Sequence, residues 1–162
     1  MMKNRFLLTV LAGCIFTLSG CSDTIDSDLD DDGSDIFDVT IKAQDQDGTL
    51  RDTFYPSETM RMALNIENVS GEAYSITFED EQKFDFVITN SDDEVIWTWS
   101  DGETFDSEET YISLEADESY GARYNWNLLL EDSSMLPAGT YTLTGEVLNV
   151  DEIGSTTFTM SE

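Results

Sequence analysis

The 162-residue chain contains no histidine. That absence excludes Ser-His and Cys-His nucleophilic catalysis, His-ligated zinc and the commonest general base. Basic residues are nearly as scarce, seven Lys and Arg against 35 Asp and Glu, for a net charge of −28. Such a field repels phosphate backbones and anionic headgroups, so neither nucleic acid nor a membrane-hugging surface is expected as a partner. It suits a high-salt habitat as well as an ordinary acidic exported protein. Only two cysteines occur, and Cys14 lies in an apolar N-terminal run, which leaves Cys21 without a disulfide partner. The two prolines, Pro56 and Pro137, both fall outside the β-type runs described below.

The N-terminus reads MMKNRFLLTVLAGCIFTLSGC: Lys3 and Arg5, an apolar run to Leu18, then small residues. These are the parts of a secretory signal, and the run is too short to span a bilayer comfortably. Leu18, Ser19, Gly20 and Cys21 resemble a bacterial lipobox, which implies cleavage after Gly20 and acylation of Cys21. Residues 1–20 are therefore expected to leave, and five basic residues then face 35 acidic ones, a charge of −30. Acyl chains on Cys21 are the expected hold on the cell envelope. Ser22 stands where an Asp would retain a lipoprotein at the inner membrane, so the outer membrane is expected if the cell is Gram-negative.

Residues 21–36, CSDTIDSDLDDDGSDI, are acidic and almost free of bulky apolar groups, as in a disordered linker. Fifteen such residues reach about 50 Å when extended. Asp28, Asp30, Asp32 and Gly33 copy the first half of an EF-hand loop, but its twelfth position is Val39 rather than Glu and no helices flank it. The DQDG of residues 45–48 is a weaker echo, and no metal ligand set is assigned.

From Phe37 to the end, nine short runs follow one another about every ten residues: FDVTIKA, RMALNIEN, AYSITF, KFDFVIT, EVIWTWS, TYISL, SYGARYNW, GTYTLTGEV and STTFTM. Their alternation and spacing predict one all-β domain over 37–162, an immunoglobulin-like antiparallel β-sandwich of about eight strands. WNLLLEDSSM is read as a loop or single turn.

Trp97 and Trp99 sit two positions apart and so share a strand face. If the loop before them holds an even number of residues, Phe84, Phe86 and Ile88 share that face with Val95, Trp97 and Trp99. An odd loop would part the two sets. The even register gathers six large apolar side chains and is expected, with Trp97, Trp99 and Trp126 mainly core and Asp85 and Thr98 toward water.

Around this hairpin the chain resembles the BsuPI family of intracellular proteinase inhibitors. The resemblance rests on Asn68 in NIENVSGEAYSITF, on FDFVITNSDDEVIWTWSDGETF, on LEADESYGARYNW and on LPAGTYTLTGEV, and covers most of residues 55–160. It implies a sandwich scaffold, a turn from Pro137 delivering Tyr141 to a late strand, and a protein partner of the serine-protease kind. In the turn before Val95 this chain has Asp92 and Asp93 where the family tends to carry glycine. An inhibitor needs an exposed rigid loop, for which residues 100–110 and 129–136 are the candidates, with Phe105, Leu129, Leu130, Met135 and Leu136 as contacts. The alternative is a carbohydrate or small-ligand site on Trp97, Trp126, Tyr111, Tyr120 or Tyr124. No nucleophile motif accompanies Lys42 or Lys83 and no carboxylate pair stands out, so neither an enzyme nor a cofactor is expected.

Overall fold

A computed structural model describes residues 36–162. The expected signal peptide, Cys21 and the linker up to residue 35 lie outside the described residues. Ten strands follow in order: β1 (Phe37–Gln44), β2 (Thr53–Phe54), β3 (Met60–Asn68), β4 (Tyr74–Phe78), β5 (Phe84–Thr89), β6 (Val95–Thr98), β7 (Thr110–Leu114), β8 (Ser119–Trp126), β9 (Gly139–Val147) and β10 (Ile153–Met160). Nine coincide with the nine sequence runs. The tenth, β2, has two residues and pairs in parallel with the end of β10, too short a segment to show a pattern.

The strands form a three-stranded sheet β1-β3-β8, a five-stranded sheet β2-β10-β9-β5-β6 and a ribbon β4-β7. Alternation along β3 turns Met60, Met62, Leu64 and Ile66 inward. They pack with Phe86, Ile88, Leu143, Val147 and Phe158 in one core that also takes Phe78 and Leu114 from the ribbon. Where β10 passes beneath β1 the residue is Gly154, because a Cβ there would stand 2.8 Å from the backbone nitrogen of Ile41 and 2.9 Å from the carbonyl carbon of Thr40. Neither atom belongs to a side chain that could move aside. Ile36 already packs against this core, and its carbonyl accepts the N–H of Val69 at 2.9 Å, so the ordered sandwich includes a residue read from sequence as linker.

Two polar side chains tie strand ends together. Asn68, the last inward position of β3, is fully buried and uses every hydrogen-bonding group it has. Its Nδ2 donates to the carbonyls of Glu72 (2.6 Å), Leu114 (3.0 Å) and Glu115 (3.1 Å), and its Oδ1 accepts from the N–H and hydroxyl of Ser70. Tyr141 is the second: it lies on β9, the late strand to which the turn from Pro137 was expected to deliver it, and its hydroxyl donates to the carbonyl of Pro137 at 2.9 Å.

Burial raises the Tyr141 phenol above its ordinary value of 10.0. The neutral form is thus favoured in the folded state, and its contribution is complete below the unfolded value. It is lost as pH rises through the folded one. Tyr141→Phe is expected to cost about 1 kcal/mol near neutral pH. The gap from wild type should narrow above pH 10, as urea melts across that range would record.

The DQDG stretch is a turn. Asp45 Oδ1 accepts the N–H groups of Asp47 and Thr49, and Gly48 follows at φ +88°. Among the described residues no group of three or more Asp, Glu or Cys side chains is placed to hold a metal ion.

Candidate functional site

The site begins with a parity question in the β5–β6 hairpin. The N–H of Asn90 donates to the carbonyl of Glu94 (3.0 Å), so the loop holds three residues, Ser91, Asp92 and Asp93, an odd number. Alone, that loop would have split the Phe and Trp sets. A bulge on β6 restores the parity: Thr89 pairs with Val95, but Ile88 pairs with Trp97 and Val87 with Thr98, which leaves Ile96 as the extra residue. Phe84, Phe86, Ile88, Trp97 and Trp99 therefore share the inner face as expected. Val95 lies before the bulge and is 61% exposed, so its expected place in that set is corrected.

Asp93 occupies the left-handed position of the loop at φ 60°, where a glycine carries no steric penalty. Asp93→Gly is expected to raise stability by about 0.5–1 kcal/mol, measured as a shift in urea midpoint. The Oδ1 of Asn90 already caps the loop through the N–H groups of Asp92 and Glu94, so the turn geometry does not depend on the Asp93 side chain.

Because β6 is an edge strand, its indoles reach across to the edge strand of the opposite sheet. Trp97 stacks on Trp126 (centroids 4.7 Å) and on Tyr124 (6.0 Å), while Trp99 stacks on Phe84 (4.9 Å) and meets Phe86, Tyr124 and Phe105 edge-on. This aromatic seam closes one side of the sandwich. Trp126 is buried and its Nε1 donates to the carbonyl of Leu129 at 2.9 Å. Trp97 and Trp99 are half-buried. Trp99 Nε1 is enclosed without an acceptor among the described residues. The outer side of the seam is an open groove of about 500 Å³ lined by Trp97, Trp99, Tyr124, Asp101, Glu103 and Glu131, among others.

Asp85 was expected to face water; instead it is only 6% exposed. The chain leaving β6 turns through a single 3-10 turn, Ser100–Gly102, that folds over it. The carboxylate accepts from the backbone N–H groups of Phe86 (2.8 Å) and Ser100 (3.1 Å) and from the Ser100 hydroxyl. Strand alternation points Asp85 outward correctly, but it cannot reveal that a later turn covers it.

From this anchor, residues 103–109 run without regular secondary structure to β7. Six of the seven are exposed, and the seventh, Phe105, is half-buried against Trp99 at 5.6 Å. Glu103 is extended (φ −108°, ψ 163°), and no residue of the segment has positive φ. Its far half is held by the Glu81 N–H to the Asp106 carbonyl (3.2 Å) and by the Thr110 hydroxyl to the Asp80 carbonyl (2.8 Å). The segment is thus exposed, extended where it begins at Glu103, and tied by hydrogen bonds at Glu103, Asp106 and Thr110.

The second candidate loop is a hairpin rather than a lone turn. Leu129 bridges Met135, Leu136 N–H donates to Leu128 carbonyl (2.9 Å), and Leu130 N–H donates to Ser134 carbonyl (2.9 Å). At its tip the Ser134 hydroxyl and N–H hold the Asp132 carboxyl below the usual carboxylate range. Leu136 is 1% exposed and belongs to the core, which corrects its assignment as a contact. Leu130 and Met135 pack partly against the same core, and Leu129 is half-buried. Of the named contacts, Phe105 stands on the exposed segment and the leucines serve mainly to close this end.

A model of the intracellular proteinase inhibitor family BsuPI matches residues 33–152. No curated protein sequence matches the chain. Among solved structures, the CARDB domain of a Pyrococcus furiosus protein, in complex with di-metal ions, is 15% identical over 77% of this chain and 87% of its own, with a TM-score of 0.46. The C-terminal domain of Wzt is 8% identical over 79% and 75%, TM-score 0.49. A β-glucosidase from Erythrobacter marinus matches 77% of this chain but only 15% of its own length, at 12% identity and TM-score 0.46.

Proposed function

The chain belongs to the BsuPI family of intracellular proteinase inhibitors, and from that premise we propose that it inhibits a serine protease while held in the cell envelope by a lipid on Cys21. The observation that carries the reading is segment 103–109. Protease clefts bind substrates as extended strands, and this segment offers an exposed backbone that starts extended at Glu103, has no residue at positive φ and is tied to the fold at Asp106 and Thr110. Prior ordering lowers the entropic cost of binding, which is what separates an inhibitor loop from a substrate loop. An exported target is favoured over an intracellular one, because the N-terminus reads as a secretion signal.

The test is titration of subtilisin-type and envelope proteases with the intact chain, in low and high salt. Stoichiometric inhibition is expected. Replacing residues 103–109 by a Gly-Ser segment of equal length is expected to weaken it about a hundredfold, as loss of a central contact patch does. Inhibition of no protease by the folded chain would overturn the reading, and undiminished inhibition after the replacement would remove the segment from it.

A further inference from the structure

The groove beside segment 103–109 combines two kinds of surface. It is lined by the aromatic side chains of Trp97, Trp99 and Tyr124 and by the acidic residues Asp101, Glu103 and Glu131. We propose that this groove receives a cationic side chain of the protein partner, an arginine or lysine exposed next to the cleft that engages the segment; this rests on the inhibitor reading above.

Three observations carry it. The groove lining contains no Lys, Arg, Asn or Gln, so an occupant finds carboxylate acceptors and aromatic side chains but no cationic or side-chain amide donor. A guanidinium matches both surfaces, stacking on an aromatic face while its N–H groups meet carboxylates. The acidic lining is also unneutralised from within: the ion pair found among the described residues, Arg51 with Glu58 at 3.1 Å, does not line the groove. Finally, the acidic lining is assembled from separate loops. Asp101 comes from the turn locked onto Asp85, Glu103 opens the segment that follows it, and Glu131 comes from the 129–135 hairpin. The chain's net charge of −28 steers a basic surface toward this face and holds other acidic proteins off.

The test uses the intact chain and its tryptophan fluorescence, titrated at low salt with acetyl-Gly-Gly-Arg-Gly-Gly-amide and with the same peptide carrying citrulline. A saturable change is expected for the arginine peptide, at least about tenfold weaker for the neutral isostere, and shrinking as salt is added. The Asp101→Asn/Glu131→Gln variant changes only exposed side chains outside segment 103–109; it should keep its thermal transition and lose about tenfold in peptide affinity. Equal binding of the citrulline peptide overturns the proposal, as does undiminished binding by the double variant, absence of a saturable change, or a response to a neutral hexasaccharide in place of the cation. Protease titration of the same variant separates the two readings. Peptide binding absent with inhibition intact removes the groove and leaves the inhibitor, whereas arginine binding with no protease inhibited leaves a basic-peptide site and removes the inhibitor.

Discussion

Replacing Asn68 by alanine is expected to lower stability by about 3–5 kcal/mol, the sum of several buried groups losing their partners. In the folded chain the side chain joins the end of β3 to the turn at residues 69–73 and to the turn between β7 and β8. Removing it takes a donor from the carbonyls of Leu114 and Glu115 and the acceptor from the Ser70 N–H, while the Ser70 hydroxyl and the Glu72 carbonyl keep each other at 3.2 Å, and water enters only if the turns loosen. Chemical denaturation at fixed pH reads the loss directly. Asn68→Asp sharpens the test because it keeps the volume. A carboxylate facing three carbonyls is disfavoured, so its folded pKa rises above the unfolded value of about 3.9. Its stability contribution is then present below that value and lost as pH rises through the folded one, so the deficit against wild type should be larger at pH 7 than at pH 4. A deficit that does not change with pH would show that the carbonyls do not govern the site.

The second large effect is expected at Asp85. Asp85→Ala removes the acceptor of two backbone N–H groups and of the Ser100 hydroxyl in a site 6% exposed, a loss of about 2–4 kcal/mol. The consequence should extend to function, because Ser100 begins the turn that launches segment 103–109 and carries Asp101 of the groove lining. Hydrogen exchange is expected to accelerate at residues 100–109 more than in β3 or β9, and protease inhibition to weaken along with it. Ser100→Ala, which removes the hydroxyl and spares the backbone bond, should cost about 1 kcal/mol. If Asp85→Ala unfolded the sandwich as a whole without local loosening, the carboxylate would be a general strut and no longer a positioning residue for the loop.

Both residues show how far pattern reading reaches. The alternation Met60, Met62, Leu64, Ile66, Asn68 continues one position past the apolar residues, so an inward asparagine at a strand end was legible as an anomaly. Its partners Leu114 and Glu115 were not, since they lie 46 and 47 residues away. Asp85 carried no such signal. It alternates correctly with Phe84 and Phe86, and what buries it arrives fifteen residues later. The hairpin register was reached for an incomplete reason: the loop is odd, and a bulge at Ile96 compensates. Turn composition around Asp92 and Asp93 fits either loop length, and only the packing of Trp97 and Trp99 against Tyr124 and Trp126 selects the bulged arrangement.

The sequence by itself determined the all-β class and located nine strands to within about two residues at either end, because period-two alternation and turn residues are local properties. It also excluded histidine chemistry and pointed to the inhibitor family. Only the tertiary structure decided that Leu136 is core, that Asp85 is an anchor, and that two acidic loops meet an aromatic seam between two sheet edges. Those facts depend on which distant segments come together, and packing chooses that through contacts no local pattern records.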